Sequence, residues 1–290
     1  SIAIGALAGA QTVTRTVTNV SNQKETYMAS FTGLTGITVG LPGSFTVNPG
    51  QSFTYNVSFT RTTAPLNAYT FGALVLTGDK GHVVKSQIAL RAVALSAPVS
   101  VSGSGGPLSY NVTFGYTGAF TATARGLIPA TPFTGNVVDD PANDINTALG
   151  SGVGITLHSV TIPAGTTYAR FSLFDDFTDG ADDIDLYVFN SGGTLVGASG
   201  GGTSAEEVNL LNPAAGNYTV VVHGWQTDGP DANYTLFTWA LGGTAAGNMT
   251  VSGPASATLG STGAITLPFS SLAPATKYLG SVAYGGTTGM

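Results

Sequence analysis

The sequence predicts an all-β chain built of tandem antiparallel β-sandwiches, and three observations carry that prediction. Apolar residues alternate with Thr, Ser and Asn over short runs, and the runs are closed by Gly, Pro, Asn or Asp. The 3.6-residue apolar period of an amphipathic helix is nearly absent. Many short strands joined by Gly-rich turns pack as sheet on sheet. At 290 residues the chain is longer than one ordinary domain, so two or three modules are expected, each with its own core.

In chain order, Ser52–Thr60 is the clearest strand. Phe53, Tyr55, Val57 and Phe59 share one face, and Thr54, Asn56, Ser58 and Thr60 the other, as in an antiparallel strand with one wet side. Tyr110, Val112, Phe114 and Tyr116 repeat the pattern, as do Ile184, Leu186 and Val188, then Tyr218, Val220 and Val222. Composition shifts place boundaries at Ala97–Pro98 and in the polar stretch from Asp139 to Gly154. There is also an internal echo. Val99–Gly103 (VSVSG) recurs as Met249–Gly253 (MTVSG), and Leu127–Val137 (LIPATPFTGNV) as Leu272–Val282 (LAPATKYLGSV). Each copy is short for an independent sandwich. The expected organisation is therefore a first domain over 1–97, a half-sandwich segment over 98–140, an inserted domain over 141–246, and a second half-sandwich over 247–290 that pairs with the first.

Only 8% of residues are charged, the net charge is −6 and the pI is near 4.7. Nucleic acid and anionic membrane surfaces both call for clustered Lys and Arg, so neither is the expected partner. The chain has no cysteine, which removes disulfides and thiolate metal sites. Ser1–Gly9 is apolar but short and has no basic start. It reads as neither signal peptide nor membrane span, so the chain is expected to begin within a longer protein.

Ser1–Phe31 resembles the fibronectin-III-like domain that follows the catalytic domain in cucumisin-type subtilases, on Ser1, Ile2, Arg15, Thr16, Val17, Asn19, Val20 and Tyr27. Phe71, Gly72 and Leu74, then Gly81, His82, Val83 and Ile88, resemble that domain's closing strands. The stretch from Gly154 to Gly242 resembles the bacterial pre-peptidase C-terminal domain, a jelly-roll-like module. The residues that carry this likeness are Ile162–Phe171 (IPAGTTYARF), Asp183–Phe189 (DIDLYVF), Asn212–Gly224 (NPAAGNYTVVVHG), Tyr234 and Leu236. Together the two likenesses imply the C-terminal region of a secreted, extracellular subtilisin-like serine protease, with the catalytic domain of the same polypeptide as its partner.

Subtilase chemistry needs a Ser hydroxyl beside a His held by a carboxylate. Ser204, in Gly201–Ala205 (GGTSA), echoes the nucleophile motif, but Glu206 and Glu207 follow where an apolar helix should start. Ser199 matches Gly-x-Ser-x-Gly, yet no strand-to-helix turn is expected there. His223 before Gly224 reads as a structural histidine. His82, His158 and His223 are too widely spaced for a zinc site, and Gly150–Gly154 (GSGVG) reads as a linker. No catalytic residue is assigned, and the chain is expected not to be an enzyme.

One chemical feature rises above this background. Asp175, Asp176, Asp179, Asp182 and Asp183, with Asp185 beyond them, fall in a single run beside Gly180. Two readings stay open: a Ca²⁺ site formed by the first five, or a solvated turn using Asp for backbone hydrogen bonds. Calcium is the one cofactor in question. Trp225, Tyr234, Phe237 and Trp239 read either as an aromatic binding face for polysaccharide or protein, or as core packing. The function expected is a non-catalytic accessory region that stabilises the protease and assists binding to a protein substrate or cell-surface polymer. The alternative is a stand-alone surface adhesin or carbohydrate-binding sandwich.

Overall fold

The computed structural model describes residues 1–287, so the last three positions of the segment expected over 247–290 lie outside the described residues. Two compact units divide the chain. One contains 1–123, 251–268 and the described residues from Ala283 on, and the other contains 124–250 with 269–282. Strands dominate both, and the fold class is all-β as expected, with one short α-helix and one 3₁₀ turn among the described residues.

The first domain has eight strands: β1 (Ile2–Leu7), β2 (Ala10–Thr18), β3 (Glu25–Gly33), β4 (Ile37–Gly40), β5 (Phe45–Val47), β6 (Ser52–Arg61), β7 (Tyr69–Gly78) and β8 (Val83–Ala92). They form a five-stranded sheet in the order β1-β8-β7-β3-β5 and a three-stranded sheet in the order β2-β6-β4. β1 runs parallel to β8, and the other pairings are antiparallel. Between the sheets lie Ile2, Ile4, Leu7, Tyr55, Val57, Phe59, Leu74, Leu76, Ile88 and Leu90, all buried. Each contributes on the order of 1.5–3 kcal/mol by leaving water. The alternation in Ser52–Thr60 thus points inward as predicted. Gly72 of the Phe-Gly-x-Leu segment is required by close packing, since a Cβ there would sit 2.3 Å from Thr32 O and 2.6 Å from the Leu34 side chain.

The next strands are β9 (Leu95–Ser96), β10 (Leu108–Phe114), β11 (Gly118–Ala119), β12 (Thr121–Pro129) and β13 (Thr131–Val138). The jelly-roll region supplies α1 (Ile145–Ser151), β14 (Ile155–Ile162), β15 (Thr166–Ser172), a 3₁₀ turn (Asp175–Phe177), β16 (Asp183–Phe189), β17 (Leu195–Ser199), β18 (Glu207–Leu211), β19 (Gly216–Gln226) and β20 (Asp231–Gly242). The chain closes with β21 (Ser256–Ala257), β22 (Thr262–Leu267) and β23 (Tyr278–Gly285).

β10 and β22 pair antiparallel from Leu108↔Leu267 to Thr113↔Thr262, β11 pairs with β21, and β12 with β23. Asn248 acts as a further rung: its Oδ1 accepts from Leu127 N at 2.8 Å and its Nδ2 donates to Leu127 O at 3.0 Å. The motif echo does not extend to equivalent pairing. In the first copy, Thr131–Val138 forms β13 and leaves the half-sandwich segment to pair with β20, burying Val137 in the jelly-roll core. In the second copy, Tyr278 onward forms β23 on β12.

The jelly-roll module stacks two antiparallel sheets, β13-β20-β15-β18 and β14-β19-β16-β17. Ile184, Leu186, Val188, Val220, Val222, Phe171 and Leu236 are sealed between them. α1 breaks the polar stretch in which only a boundary was expected. Asp144 caps it, accepting from Asn146 N and Thr147 N, and Gly152 ends it in the left-handed conformation with φ 77°. Among the described residues, no helix is long and apolar enough to cross a membrane.

Candidate functional site

The acidic run straddles the 3₁₀ turn and the start of β16. Asp175 and Asp176 lie on the turn, exposed. Asp179 accepts from both the main-chain and side-chain nitrogens of Asn233. Asp182 is buried: one carboxylate oxygen, Oδ1, accepts from Asp228 N at 3.0 Å, and its carbonyl accepts from Ser204 Oγ at 2.7 Å. The fold therefore spreads the five aspartates over separate partners, and among the described residues no three Asp, Glu or His side chains converge to hold a metal. Two oxygens are left over, the buried Oδ2 of Asp182 and Oδ1 of Asp183, neither with a hydrogen-bond partner. Burial raises both carboxyls above their usual range. The charges of Asp228 and Asp179 add to this at Asp182, and those of Asp185 and Glu206 at Asp183.

Beside this run lies a cluster that the sequence did not reveal. β16 and β19 place Asp185 opposite His223. Both are buried, with His223 Nδ1 3.6 Å from Asp185 Oδ2 and Nε2 2.9 Å from Asp140 Oδ2. Asp140 also accepts from Ala142 N and Asp144 N, so one carboxylate fixes both the imidazole and the approach to α1. Burial works to lower the His223 pKa, but the two carboxylates outweigh it and raise it above the ordinary value. At Asp140 burial works upward and is outweighed by the bonds from His223 and the backbone, so the carboxyl lies low. Tyr187 donates to Asp185, and burial with that charge pushes the phenol up to about 12.

The two serines matched to nucleophile motifs serve this framework. Ser204 is fully buried and held by Asp182 O, and Ser199 donates to buried Glu206. Gly200 passes over the acids because a Cβ there would lie 2.9 Å from Asp185 Oδ1. Neither serine shares a hydrogen bond with His223, so the arrangement offers no activated nucleophile. Of the aromatic set, Tyr234, Phe237 and Trp239 are buried, and Trp225 is 37% exposed. The rings of Phe174, Phe177 and Phe237 surround the Lys277 ammonium, with centroids at 3.8, 4.8 and 5.6 Å. Sequence reasoning missed this cage because Lys277 lies in the returning segment.

Two kinds of module define the class of the chain. Residues 1–90 match the fibronectin type-III domain and residues 155–224 the bacterial pre-peptidase C-terminal domain. Neither is a protease catalytic domain. The chain is similar to subtilisin-like protease SBT2.4 of Arabidopsis thaliana, 36% identical over 94 residues, which are 32% of this chain and 11% of the relative. It is 41% identical over 85 residues to SBT2.6 of the same plant, covering 29% of this chain and 10% of the relative. Pyrolysin of Pyrococcus furiosus is 32% identical over 85 residues, covering 29% of this chain and 6% of the relative. The chain thus spans about a tenth of the length of the first of these relatives. Among solved structures it is similar to the secreted serine protease VesC of Vibrio cholerae, at 11% identity and a TM-score of 0.25, over 82% of this chain and 48% of that one.

Proposed function

We propose that the chain is the non-catalytic C-terminal accessory region of a secreted, extracellular subtilisin-like serine endopeptidase, where it stabilises the catalytic domain. The observation that carries this reading is the first domain, whose relatives at 36–41% identity are subtilisin-like proteases. The pre-peptidase C-terminal match in the same chain supports it. The test is to sequence the coding region upstream of Ser1 and express the longer protein. A subtilase domain that hydrolyses a chromogenic peptide, and inactivates faster on heating once residues 1–290 are removed, supports the reading. The absence of any such domain overturns it and favours a stand-alone adhesin.

A second proposal concerns the acidic run. Calcium is the cation we assign to it, on the two buried carboxylate oxygens of Asp182 and Asp183 that lack a hydrogen bond. Ca²⁺ takes six to eight oxygens, so main-chain carbonyls and water would complete the shell. Melting in EDTA against excess Ca²⁺ tests this, and coincident curves reject it.

A further inference from the structure

The first domain leaves one long strand edge without a partner. β2 pairs with β6 on one side, and no strand lies on its other side among the described residues. The strand that precedes it, β1, goes to the opposite sheet and runs parallel to β8. Open edges are usually kept short, bent or blunted by charge, and the other edges of this domain follow that rule. β4 has four residues and β5 three, while the register of β1 is broken between Ile4 and Leu7. β2 has nine residues, keeps register with β6 without a break from Ala10↔Thr60 to Thr18↔Ser52, and contains neither proline nor glycine.

Alternation fixes which groups face outward along that edge. Gly9 O accepts from Arg61 N at 2.7 Å and Asn19 N donates to Gln51 O at 3.0 Å, so the odd-numbered residues of this stretch are the ones bonded to β6. The N–H and C=O groups of Thr12, Thr14, Thr16 and Thr18 therefore point the other way. Arg15 reaches over the same edge: its Nη1 donates to Thr14 O at 2.8 Å and its Nη2 to Ser1 O at 3.1 Å. Among the described residues no carboxylate pairs with Arg15. The side chains are sorted as well. Thr12, Thr14, Thr16 and Thr18 are exposed, whereas Val13 and Val17 are half-buried at the rim of the core. A strand laid along β2 would find main-chain partners and would cover the two valines with its own apolar residues. It would also offer Arg15 a carboxylate in place of two carbonyl oxygens, which is the stronger bond.

We infer that the open edge of β2 is a strand-addition site for an extended segment of another protein, with apolar and polar residues alternating and an Asp or Glu opposite Arg15. Main-chain bonds to Thr12–Thr18 hold the segment, and Val13, Arg15 and Val17 select its side chains. Arg15 then has two states, capping Thr14 O when the edge is empty and pairing with the guest carboxylate when it is filled. Such a site would serve a protease tail and a stand-alone adhesin alike, so it does not depend on the protease reading.

The test uses the 290-residue chain and an end-blocked peptide, Thr-Val-Thr-Glu-Thr-Val-Thr, which in antiparallel register sets Glu opposite Arg15 and Val opposite Val13 and Val17. Titration should saturate, and amide exchange at Thr12, Thr14, Thr16 and Thr18 should slow. A peptide with Gln in place of Glu should bind wild type about three- to tenfold more weakly, and Arg15→Gln should bind both peptides at that lower affinity. Thr14→Pro should abolish binding while melting as wild type, because proline is tolerated where an edge N–H faces away from the ladder. Unchanged exchange at saturating peptide, equal affinity of wild type for the Glu and Gln peptides, or undiminished binding by Thr14→Pro overturns the inference. If the 290-residue chain sediments as a dimer that Thr14→Pro dissociates, a second copy fills the edge. If the same four amides are protected without peptide in a longer protein, its upstream polypeptide fills it. Either result overturns the inference as well.

Discussion

His82 Nδ1 lies 2.6 Å from Oε2 of Glu25, a buried carboxylate 57 residues earlier in the chain. The same oxygen accepts from Tyr27 Oη at 2.9 Å, and Oε1 accepts from the backbone N–H groups of Lys80 and His82. One carboxylate thus closes the β7–β8 turn onto β3, which gives a physical reason for Tyr27 and His82 in the family likeness.

Glu25→Ala should lower the melting temperature of the first domain by several degrees, since it removes the buried acceptor that holds the Tyr27 hydroxyl, the His82 ring and the Lys80 and His82 backbone N–H groups together. Burial works to raise the Glu25 pKa, but the bonds from His82, Tyr27 and the backbone outweigh it and lower it. This contribution is complete above the ordinary carboxylate value and is lost as pH falls through the lower folded value. An acid titration of melting temperature should show that loss in wild type, and its persistence in the variant would refute the assignment.

The His223 cluster should give the jelly-roll module the opposite dependence at the alkaline side. A raised histidine stabilises fully below its ordinary value of 6.5 and loses that contribution as pH climbs through the folded value. Asp140, lowered from 3.8, adds stability above that value and loses it in acid. His223→Gln should flatten the alkaline decline. Asp140→Ala should destabilise the module by up to about 3–5 kcal/mol, as measured by denaturant unfolding, because buried His223 keeps only its longer 3.6 Å contact with Asp185.

Asp182→Asn separates the two readings of the acidic run. In EDTA the variant should melt at or above wild type, because the amide removes a buried charge repelled by Asp228 and Asp179. In excess Ca²⁺ the order should reverse if Asp182 is a ligand. Equal behaviour in both buffers would leave the solvated turn standing.

Lys277→Ala should destabilise the second unit by about 0.5–2 kcal/mol through loss of the cation–π cage. Lys277→Arg should recover part of this, since guanidinium also stacks on rings. An alanine variant that unfolds at the same denaturant concentration as wild type would show the cage to be inert.

Period-two alternation made the cores legible. Tyr55, Val57 and Phe59, then Ile184, Leu186 and Val188, point inward because strand sterics put alternate residues on one face. What stayed hidden depends on pairing across long separations. Nothing local to His223 announces Asp140, 83 residues away, and nothing near Lys277 announces Phe174. The helix at Ile145–Ser151 carries readable signals in Asp144 and Gly152, but the polar, glycine-bearing composition from Asp139 to Gly154 reads as a domain boundary, and Gly150–Gly154 as a linker. The echo placed Thr131–Val138 with the half-sandwich, whereas β20 offered a long antiparallel partner over Asp231–Thr238 and won the strand.

The pairing of β10 with β22 has a consequence for biosynthesis. Ser109 meets Thr266, 157 residues further along, and a ribosome adding about 5–20 residues per second needs on the order of ten seconds or more to supply that partner. Until then β10 and β12 are nascent strands with open edges, prone to pair with any neighbouring chain. Export before folding, or a holding chaperone on the emerging segment, would suit such a chain, and a ribosome that stalled near Gly247 would release a product in which those edges never close.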